Sequence, residues 1–135
     1  MTRKIKVLLA KLGLDVHNRG VITIAMELRD KGMEVIYLGN SLPDEILAAA
    51  VQEQVDVIGV SSLGGAHLSL GSLLLSKAEE KGLKNDFVFL IGGVFSPEDA
   101  EELLSIGFDG VFPPGSSQDE IVSSLHQALA DKMRR

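Results

Sequence analysis

Short apolar runs alternate along the chain with longer stretches in which apolar residues recur every three or four positions. The short runs predict five β-strands, and the longer stretches predict a helix after each strand. The strands are expected at residues 4–10, 33–38, 55–60, 87–91 and 109–112. The helices are expected at residues 19–31, 43–53 and 68–81, then from Pro97, and finally from Ser117 as N-cap to near Lys132.

Residues that favour helix ends stand at these boundaries. Gly32 and Gly82 follow the first and third helices, where glycine commonly ends a helix. Ser96 precedes a proline and suits the N-cap of the fourth helix. The spacing Ser117-x-x-Glu120 is that of a capping box for the fifth helix. The apolar positions expected on the buried side of the first helix are Ile22, Ala25, Met26 and Leu28.

The strands lack alternating polar residues, which predicts a parallel sheet covered on both faces. With right-handed connections, five such units favour a flavodoxin-like (Rossmann-like) α/β sandwich of three layers, with strand order 2-1-3-4-5, formed as one domain by residues 1–135. Ligands of such sheets bind beyond the carboxyl ends of the strands, at the switch point between strands 1 and 3. The loops expected there are residues 11–18 and 61–65, with residues 92–93 and 113–116 beside them.

Composition limits the classes of function. The chain has 135 residues, 45% of them apolar, and a net charge of −6, which argues against a nucleic-acid ligand or an anionic membrane surface. It has no cysteine, so disulfides, thiolate metal sites and a cysteine nucleophile are excluded, and a cytoplasmic location fits. Lys6 and Lys11 interrupt the first apolar run, which therefore predicts neither a signal peptide nor a membrane span.

The first of these loops carries a candidate metal ligand, His17. Asp15 stands two residues before it and can accept a hydrogen bond from the ring nitrogen that does not bind metal, and Lys11 can pair with Asp15. Gly20 allows close approach of the backbone at the helix start. The same residues also suit a solvated or helix-capping histidine and a turn-forming aspartate. Because no second histidine stands at a useful spacing, a zinc site made by this chain alone is not expected.

Small residues follow the third, fourth and fifth strands. They are Ser61, Ser62, Gly64 and Gly65, then Gly92 and Gly93, then Pro113 to Ser116. Each patch alone is typical of an ordinary turn, but together beside His17 they predict a deep slot for something flat or long. Neither a phosphate loop nor the dinucleotide-binding glycine pattern is present.

Other candidate residues carry less information. Tyr37 and the five phenylalanines are too sparse for a base-stacking platform, and most are expected in the core. His67, near the start of the third helix, faces either the ligand or solvent. His126, on the last helix, is expected at the surface.

Three motifs in order, Asp15-x-His17-x-x-Gly20, Ser61-x-Leu63 and Gly92-Gly93, resemble the signature of cobalamin-binding domains that hold the cofactor His-on and base-off. The resemblance extends over nearly the whole chain. The segments around the first two motifs, and residues 112–116, are most similar to the acyl-CoA mutase branch, which includes methylmalonyl-, isobutyryl- and 2-hydroxyisobutyryl-CoA mutases.

The resemblance implies adenosylcobalamin as cofactor and His17 as the axial ligand of cobalt, tuned by Asp15 and Lys11. The nucleotide tail would enter the slot, and the reaction would be a radical 1,2 rearrangement of the carbon skeleton. The cofactor-binding residues it implies are Asp15, Val16, His17, Asn18, Arg19, Gly20, Ser61, Leu63, Gly65, Gly92, Gly93, Val94, Phe112, Pro114, Gly115 and Ser116.

The substrate-binding barrel of such mutases is not in this sequence. The resemblance therefore implies a small subunit, inactive alone, that works with a separate large subunit. Val16 and Asn18 depart from the Gly and Asp common in this branch, which leaves the acyl group open. The alternatives are a corrinoid carrier for methyl transfer, a glutamate-mutase-type small subunit, and a cofactor-free receiver-like domain, although Ser61 and Ser62 stand where a receiver has its phosphoacceptor aspartate.

Overall fold

Five strands alternate with five helices in the part of the chain that the computed structural model describes, namely residues 4–12, 19–62, 67–93, 95–113 and 116–133. The strands are β1 (Lys6–Leu12), β2 (Glu34–Ser41), β3 (Val57–Ser62), β4 (Val88–Gly93) and β5 (Gly110–Phe112). The helices are α1 (Arg19–Asp30), α2 (Pro43–Glu53), α3 (His67–Glu80), α4 (Pro97–Ile106) and α5 (Gln118–Met133).

The strands form one parallel sheet with the order β2-β1-β3-β4-β5, which confirms the predicted flavodoxin-like topology. All carboxyl ends therefore lie at one edge of the sheet, called here the carboxyl edge. β1 and β3 are neighbours in the middle, so the switch point lies between them as expected. None of the described helices combines the length and the hydrophobicity that a membrane span requires.

Helices cover both faces of the sheet, each over its own apolar core. On the α1/α5 face, strand residues such as Val7 and Val57 pack with Leu28 of α1 and Leu125 of α5. On the opposite face, α2, α3 and α4 pack against a larger core that includes Phe89. Successive strand residues point to opposite faces, so the two cores assign each strand position to one side.

The strands are displaced toward the carboxyl edge relative to the prediction. β1 and β3 each begin and end two residues later than expected, β4 also ends two residues later, and β2 ends three residues later. The ladder continues through polar and small residues, such as Lys11, Ser61 and Gly92, because backbone pairing needs no particular side chain. The predicted bounds were wrong where they followed the end of the apolar run.

One residue of the edge strand β2 is bulged out of register. Leu9 of β1 pairs with Tyr37, but the next residue, Ala10, pairs with Gly39, so Leu38 is skipped. Gly39 has a φ of 82°, a conformation that glycine adopts easily. The bulge leaves Tyr37 and Leu38 partly exposed on the outer strand.

The buried side of α1 is narrower than predicted. Ala25 and Leu28 are buried, as expected, whereas Ile22 is 44% exposed and Met26 is 59% exposed. With about 100° of rotation per residue, Ile22 and Met26 lie about a quarter-turn or more away from the midpoint between Ala25 and Leu28. The expectation that all four residues are buried was wrong for these two.

Helix caps and aromatic residues mostly follow expectation. The Ser96 hydroxyl accepts a hydrogen bond from the Asp99 N–H at 3.2 Å, and Ser117 and Glu120 make both bonds of the capping box. Three phenylalanines are buried, while Tyr37 lies on the exposed edge strand. His126 is exposed on α5, as predicted.

A lysine of α5 anchors that helix at the edge opposite the carboxyl edge. The Lys132 ammonium lies 3.0 Å from a carboxylate oxygen of Asp109 and donates to the carbonyls of Lys84 and Phe87. The same Asp109 oxygen accepts a hydrogen bond from the Phe89 N–H at 2.8 Å. Since Lys132 is only 8% exposed, this cluster is a largely buried structural contact.

Candidate functional site

Four of the expected site residues align across the sheet at the carboxyl edge. Lys11 of β1 pairs in register with Ser61 of β3, Ser61 pairs with Gly92 of β4, and Gly92 pairs with Phe112 of β5. Residues paired in this way project from the same face. Phe112 belongs to the apolar core under α1 and α5, so the whole row faces those helices. We call these four residues the upper row.

Lys11 lies in a strand, not in the loop where the sequence placed it. It is 2% exposed, and its position two residues beyond Leu9 puts its side chain on the α1/α5 face. A buried ammonium requires polar partners, since an unpaired buried charge is costly. Lys11 thus contributes a positive charge at the upper row, adjacent to Ser61.

The hydroxyl of Ser61 is buried without a hydrogen-bond partner in the described part of the chain, and so is that of Ser62. Each hydroxyl oxygen has less than 1 Å² of accessible surface. The two side chains point to opposite faces because they are neighbours in a strand. A buried unsatisfied hydroxyl costs about 1–3 kcal/mol, so Ser61 presents an unfilled hydrogen-bonding capacity on the α1/α5 face.

The two glycines that end β4 are required for different reasons. A Cβ at Gly93 would lie 2.0 Å from the Ser62 carbonyl oxygen, so the close approach of β3 and β4 excludes any side chain there. Among the described residues, a Cβ at Gly92 would meet only Phe112, at ordinary contact distances of 3.5 Å or more. The fold therefore tolerates a side chain at position 92. Glycine at this position leaves free space on the α1/α5 face of the sheet.

A second row of residues lies two positions below the upper row on the same face. Leu9, Gly59, Leu90 and Gly110 pair in register across β1, β3, β4 and β5. The Cδ2 atoms of Leu9 and Leu90 lie 2.8 Å from the points where Cβ atoms of Gly59 and Gly110 would stand. Each leucine therefore spreads over the neighbouring glycine. We call these four residues the lower row.

The fifth strand closes the far end of both rows. The Phe112 side chain is half-buried, and its ring lies over Gly110, with Cζ 3.1 Å from the position of a Cβ there. Ser116, also an expected site residue, donates its hydroxyl to the Pro113 carbonyl at 2.8 Å. That bond stabilises the turn after β5 and engages the hydroxyl locally.

Several expected site residues lie outside the described residues: Asp15, Val16, His17, Asn18, Leu63, Gly65, Val94, Pro114 and Gly115. Arg19 and Gly20 are the first residues of α1, and His67 is the first residue of α3. Among the described residues, no group of three or more His, Asp or Glu side chains could hold a metal ion. The role of His17 stays a prediction.

Sequence reasoning missed the lower row. A signal was present, because Gly59 stands two residues before Ser61 and Gly110 two residues before Phe112. Residues two apart in a strand share a face, so these glycines were bound to lie beneath the expected site. Glycine inside a strand often marks a close approach.

The comparisons with known proteins agree with one another. Residues 5–123 match the model of the B12 binding domain family. The chain is 39% identical to the 2-hydroxyisobutanoyl-CoA mutase small subunit of Aquincola tertiaricarbonis, covering 97% of this chain and 96% of that protein. It is 38% identical to the pivalyl-CoA mutase small subunit of Xanthobacter autotrophicus, covering 98% and 88%.

Longer proteins contain a similar segment. The methylmalonyl-CoA mutase large subunit of Streptomyces virginiae is 36% identical over 95% of this chain, which spans only 18% of that protein. Among solved structures, a cobalamin-binding protein from Desulfitobacterium hafniense superposes with a TM-score of 0.80 over 93% of this chain and 60% of its own. At 21% identity, that likeness concerns the fold alone.

Proposed function

Because this chain belongs to the B12 binding domain family, we propose that it is the cobalamin-binding small subunit of an acyl-CoA mutase. The observation that carries the proposal is the end-to-end match to mutase small subunits, with 97% of this chain aligned to 96% of one of them. A carrier for methyl transfer or a receiver-like domain would not be expected to align in this way. A cytoplasmic location, which the absence of cysteine suits, belongs to the same proposal.

The described residues fit a ligand that inserts beside the sheet. The Ser61 hydroxyl is buried and lacks a partner among the described residues, and Gly92 leaves space in front of the sheet that a Cβ would fill. Both stand in the upper row, on the α1/α5 face: Ser61 is on β3, beside the switch point, and Gly92 is its register partner on β4. These features support a slot there for the nucleotide tail of cobalamin. Because the Ser61 oxygen is covered, we expect that the groups covering it move aside when the tail binds.

Each residue then has a defined task. His17 would bind cobalt, and Asp15 would accept a hydrogen bond from its other ring nitrogen and so fix its orientation. Lys11 would hold Asp15 ionised from its buried place in β1. Ser61 would donate a hydrogen bond to the tail. The bound cofactor, proposed to be adenosylcobalamin, would supply the radical chemistry.

The substrate would be held elsewhere. We propose that an acyl-CoA binds in the barrel of a separate large subunit, and that this chain presents the cofactor to it from the carboxyl edge. The rearrangement would require both subunits, in keeping with the end-to-end match of this chain to mutase small subunits. Positioning the cofactor and excluding water are then the contributions of this chain.

The test is the absorption spectrum of the purified chain with adenosylcobalamin. We expect wild type to give the spectrum of histidine-ligated, base-off cobalamin, and His17→Ala to remain folded and lose that spectrum. His126→Ala is the matched control, because His126 is exposed on α5 and should leave the spectrum unchanged. An unchanged spectrum for His17→Ala would show that the ligand assignment is wrong.

The mutase assignment needs a separate assay. The chain is mixed with a candidate large subunit and adenosylcobalamin, and the rearrangement of acyl-CoA esters is followed by mass spectrometry. Activity that requires both subunits supports the proposal. Cobalamin binding without any mutase activity, combined with cycling between methylated and reduced cobalt, would favour the carrier instead.

A further inference from the structure

We propose that the lower row is the floor of the slot, so that Leu9 and Leu90, lying over Gly59 and Gly110, determine how large a lower base the bound corrinoid can carry. This inference rests on the proposed function, because it assumes that the nucleotide tail enters on the α1/α5 face. It goes further by assigning base selectivity to residues outside the three motifs.

Over the central strands β3 and β4, the side-chain cover differs between the two rows. In the upper row, β3 and β4 carry only a serine and a glycine, Ser61 and Gly92. In the lower row, about 6.6 Å further down the strands, the Leu9 side chain spreads over Gly59 and the Leu90 side chain stands beside it. The space in front of the sheet therefore ends where these leucines begin.

The two leucines of the lower row are slightly less buried than the strand residues beneath them. On the α1/α5 face, the strand residues below the lower row are almost inaccessible: Val7 is 1% exposed and Val57 is 0% exposed. Leu9 and Leu90 retain 8% and 5% exposure. The upper row is covered as well, since Lys11 is 2% exposed and the Ser61 hydroxyl oxygen has less than 1 Å² of accessible surface. The slot is therefore closed to solvent at these groups, and the two leucines would form its bottom when a ligand opens it.

The pairing of leucine with glycine makes the height of the floor adjustable. A methyl group at position 59 would lie 2.8 Å from Leu9 Cδ2, so the leucine must move. The buried Val7 and Val57 fill the space on the side of Leu9 away from the carboxyl edge, so the Leu9 side chain can move only toward the slot. Gly59→Ala therefore raises the floor, and shortening Leu9 lowers it.

The first test compares binding of cobalamin with binding of cobinamide, which has the same ring but no nucleotide tail. For Gly59→Ala we expect cobalamin affinity to fall at least about tenfold and cobinamide affinity to change less than about twofold. In Gly59→Ala/Leu9→Val, which lacks the clashing Cδ2 atom, cobalamin affinity should recover. Gly71→Ala, a glycine substitution in α3 on the opposite face, is the control and should leave both affinities unchanged.

The second test uses Leu9→Ala and measures the ratio of its affinities for two corrinoids that differ in the lower base. Because both affinities are measured on the same protein, a change in stability affects them equally and cancels in the ratio. We expect its affinity for a corrinoid with a tricyclic lower base, relative to cobalamin, to exceed the wild-type ratio at least about tenfold. If Gly59→Ala does not fold, this ratio decides the matter. Wild-type binding of cobalamin with an unchanged ratio in Leu9→Ala would overturn the floor assignment. Failure of wild type to bind either corrinoid would instead overturn the proposed function.

Discussion

A Cβ atom at Gly93 would stand 2.0 Å from the carbonyl oxygen of Ser62, its register partner on β3. Gly93→Ala therefore forces the ends of two central strands apart, and the obstacle is backbone, which cannot rotate away. We expect a clear fall in the free energy of unfolding, by about 2 kcal/mol or more, and loss of cobalamin binding. Thermal unfolding and equilibrium binding measure the two effects.

Gly32→Ala is the control for that variant. Gly32 has a φ of 89° and open space around it, at the far end of α1. Alanine there should cost about 1 kcal/mol of backbone strain, with cobalamin affinity unchanged. If both variants bind cobalamin equally well, the close approach at Gly93 is irrelevant to the site.

Gly92→Ala should weaken cobalamin binding without destabilising the fold, unlike Gly93→Ala. Within the part of the chain that the structure describes, its methyl group would make only ordinary contacts with Phe112, and alanine restricts the unfolded chain more than glycine does. We expect stability to stay the same or to rise by about 0.5 kcal/mol, while cobalamin affinity falls at least about tenfold because the methyl group occupies the slot. Urea unfolding and titration with cobalamin test this, and undiminished affinity would contradict it.

Ser61→Ala and Ser62→Ala form a matched pair on opposite faces of one strand. Each removes a buried hydroxyl that lacks a partner among the described residues, so each should stabilise the unliganded chain by about 1 kcal/mol. Only Ser61→Ala should weaken cobalamin binding, because only Ser61 stands in the upper row. Equal effects of the two variants on binding would show that the face assignment is wrong.

Lys132→Met should destabilise the fold without affecting the site. It leaves the Asp109 carboxylate, 21% exposed, without its cation, which we expect to cost about 2 kcal/mol. The control is Lys81→Met, whose ammonium is exposed and 3.8 Å from Asp44, and which should cost less than about 0.5 kcal/mol. Urea midpoints give the comparison. A weaker affinity for cobalamin in folded Lys132→Met would contradict the separation of the two edges.

The sequence predicted the order of elements, the strand order and the helix caps, because these follow from apolar periodicity and from local hydrogen-bonding residues. It did not predict where β1 and β3 end. Lys11 and Ser61 are residues that usually mark a loop, yet they continue the ladder because their backbones find partners in neighbouring strands.

Contacts between residues far apart in the sequence also explain why the lower row and the exposed residues of α1 were not predicted. The spacing of Gly59 and Ser61 placed the glycine beneath the expected site, but its cover by Leu9, 50 positions away, follows only from the register of the strands. Ile22 and Met26 looked like core residues, but the sheet is covered by one narrow side of the helix, which Ala25 and Leu28 already fill. Both outcomes depend on tertiary pairing, which local patterns do not contain.

The β-bulge at Leu38 also affects whether separate molecules can pair through their edge strands. An outer strand with an uninterrupted row of amide and carbonyl groups invites another chain to add a strand of its own. Here the irregularity at Leu38 and Gly39 breaks that row near its middle and twists the backbone locally. At high concentration, molecules of this protein should therefore resist pairing through β2 into continuous sheets. This holds even though Tyr37 and Leu38 leave apolar surface on that edge strand.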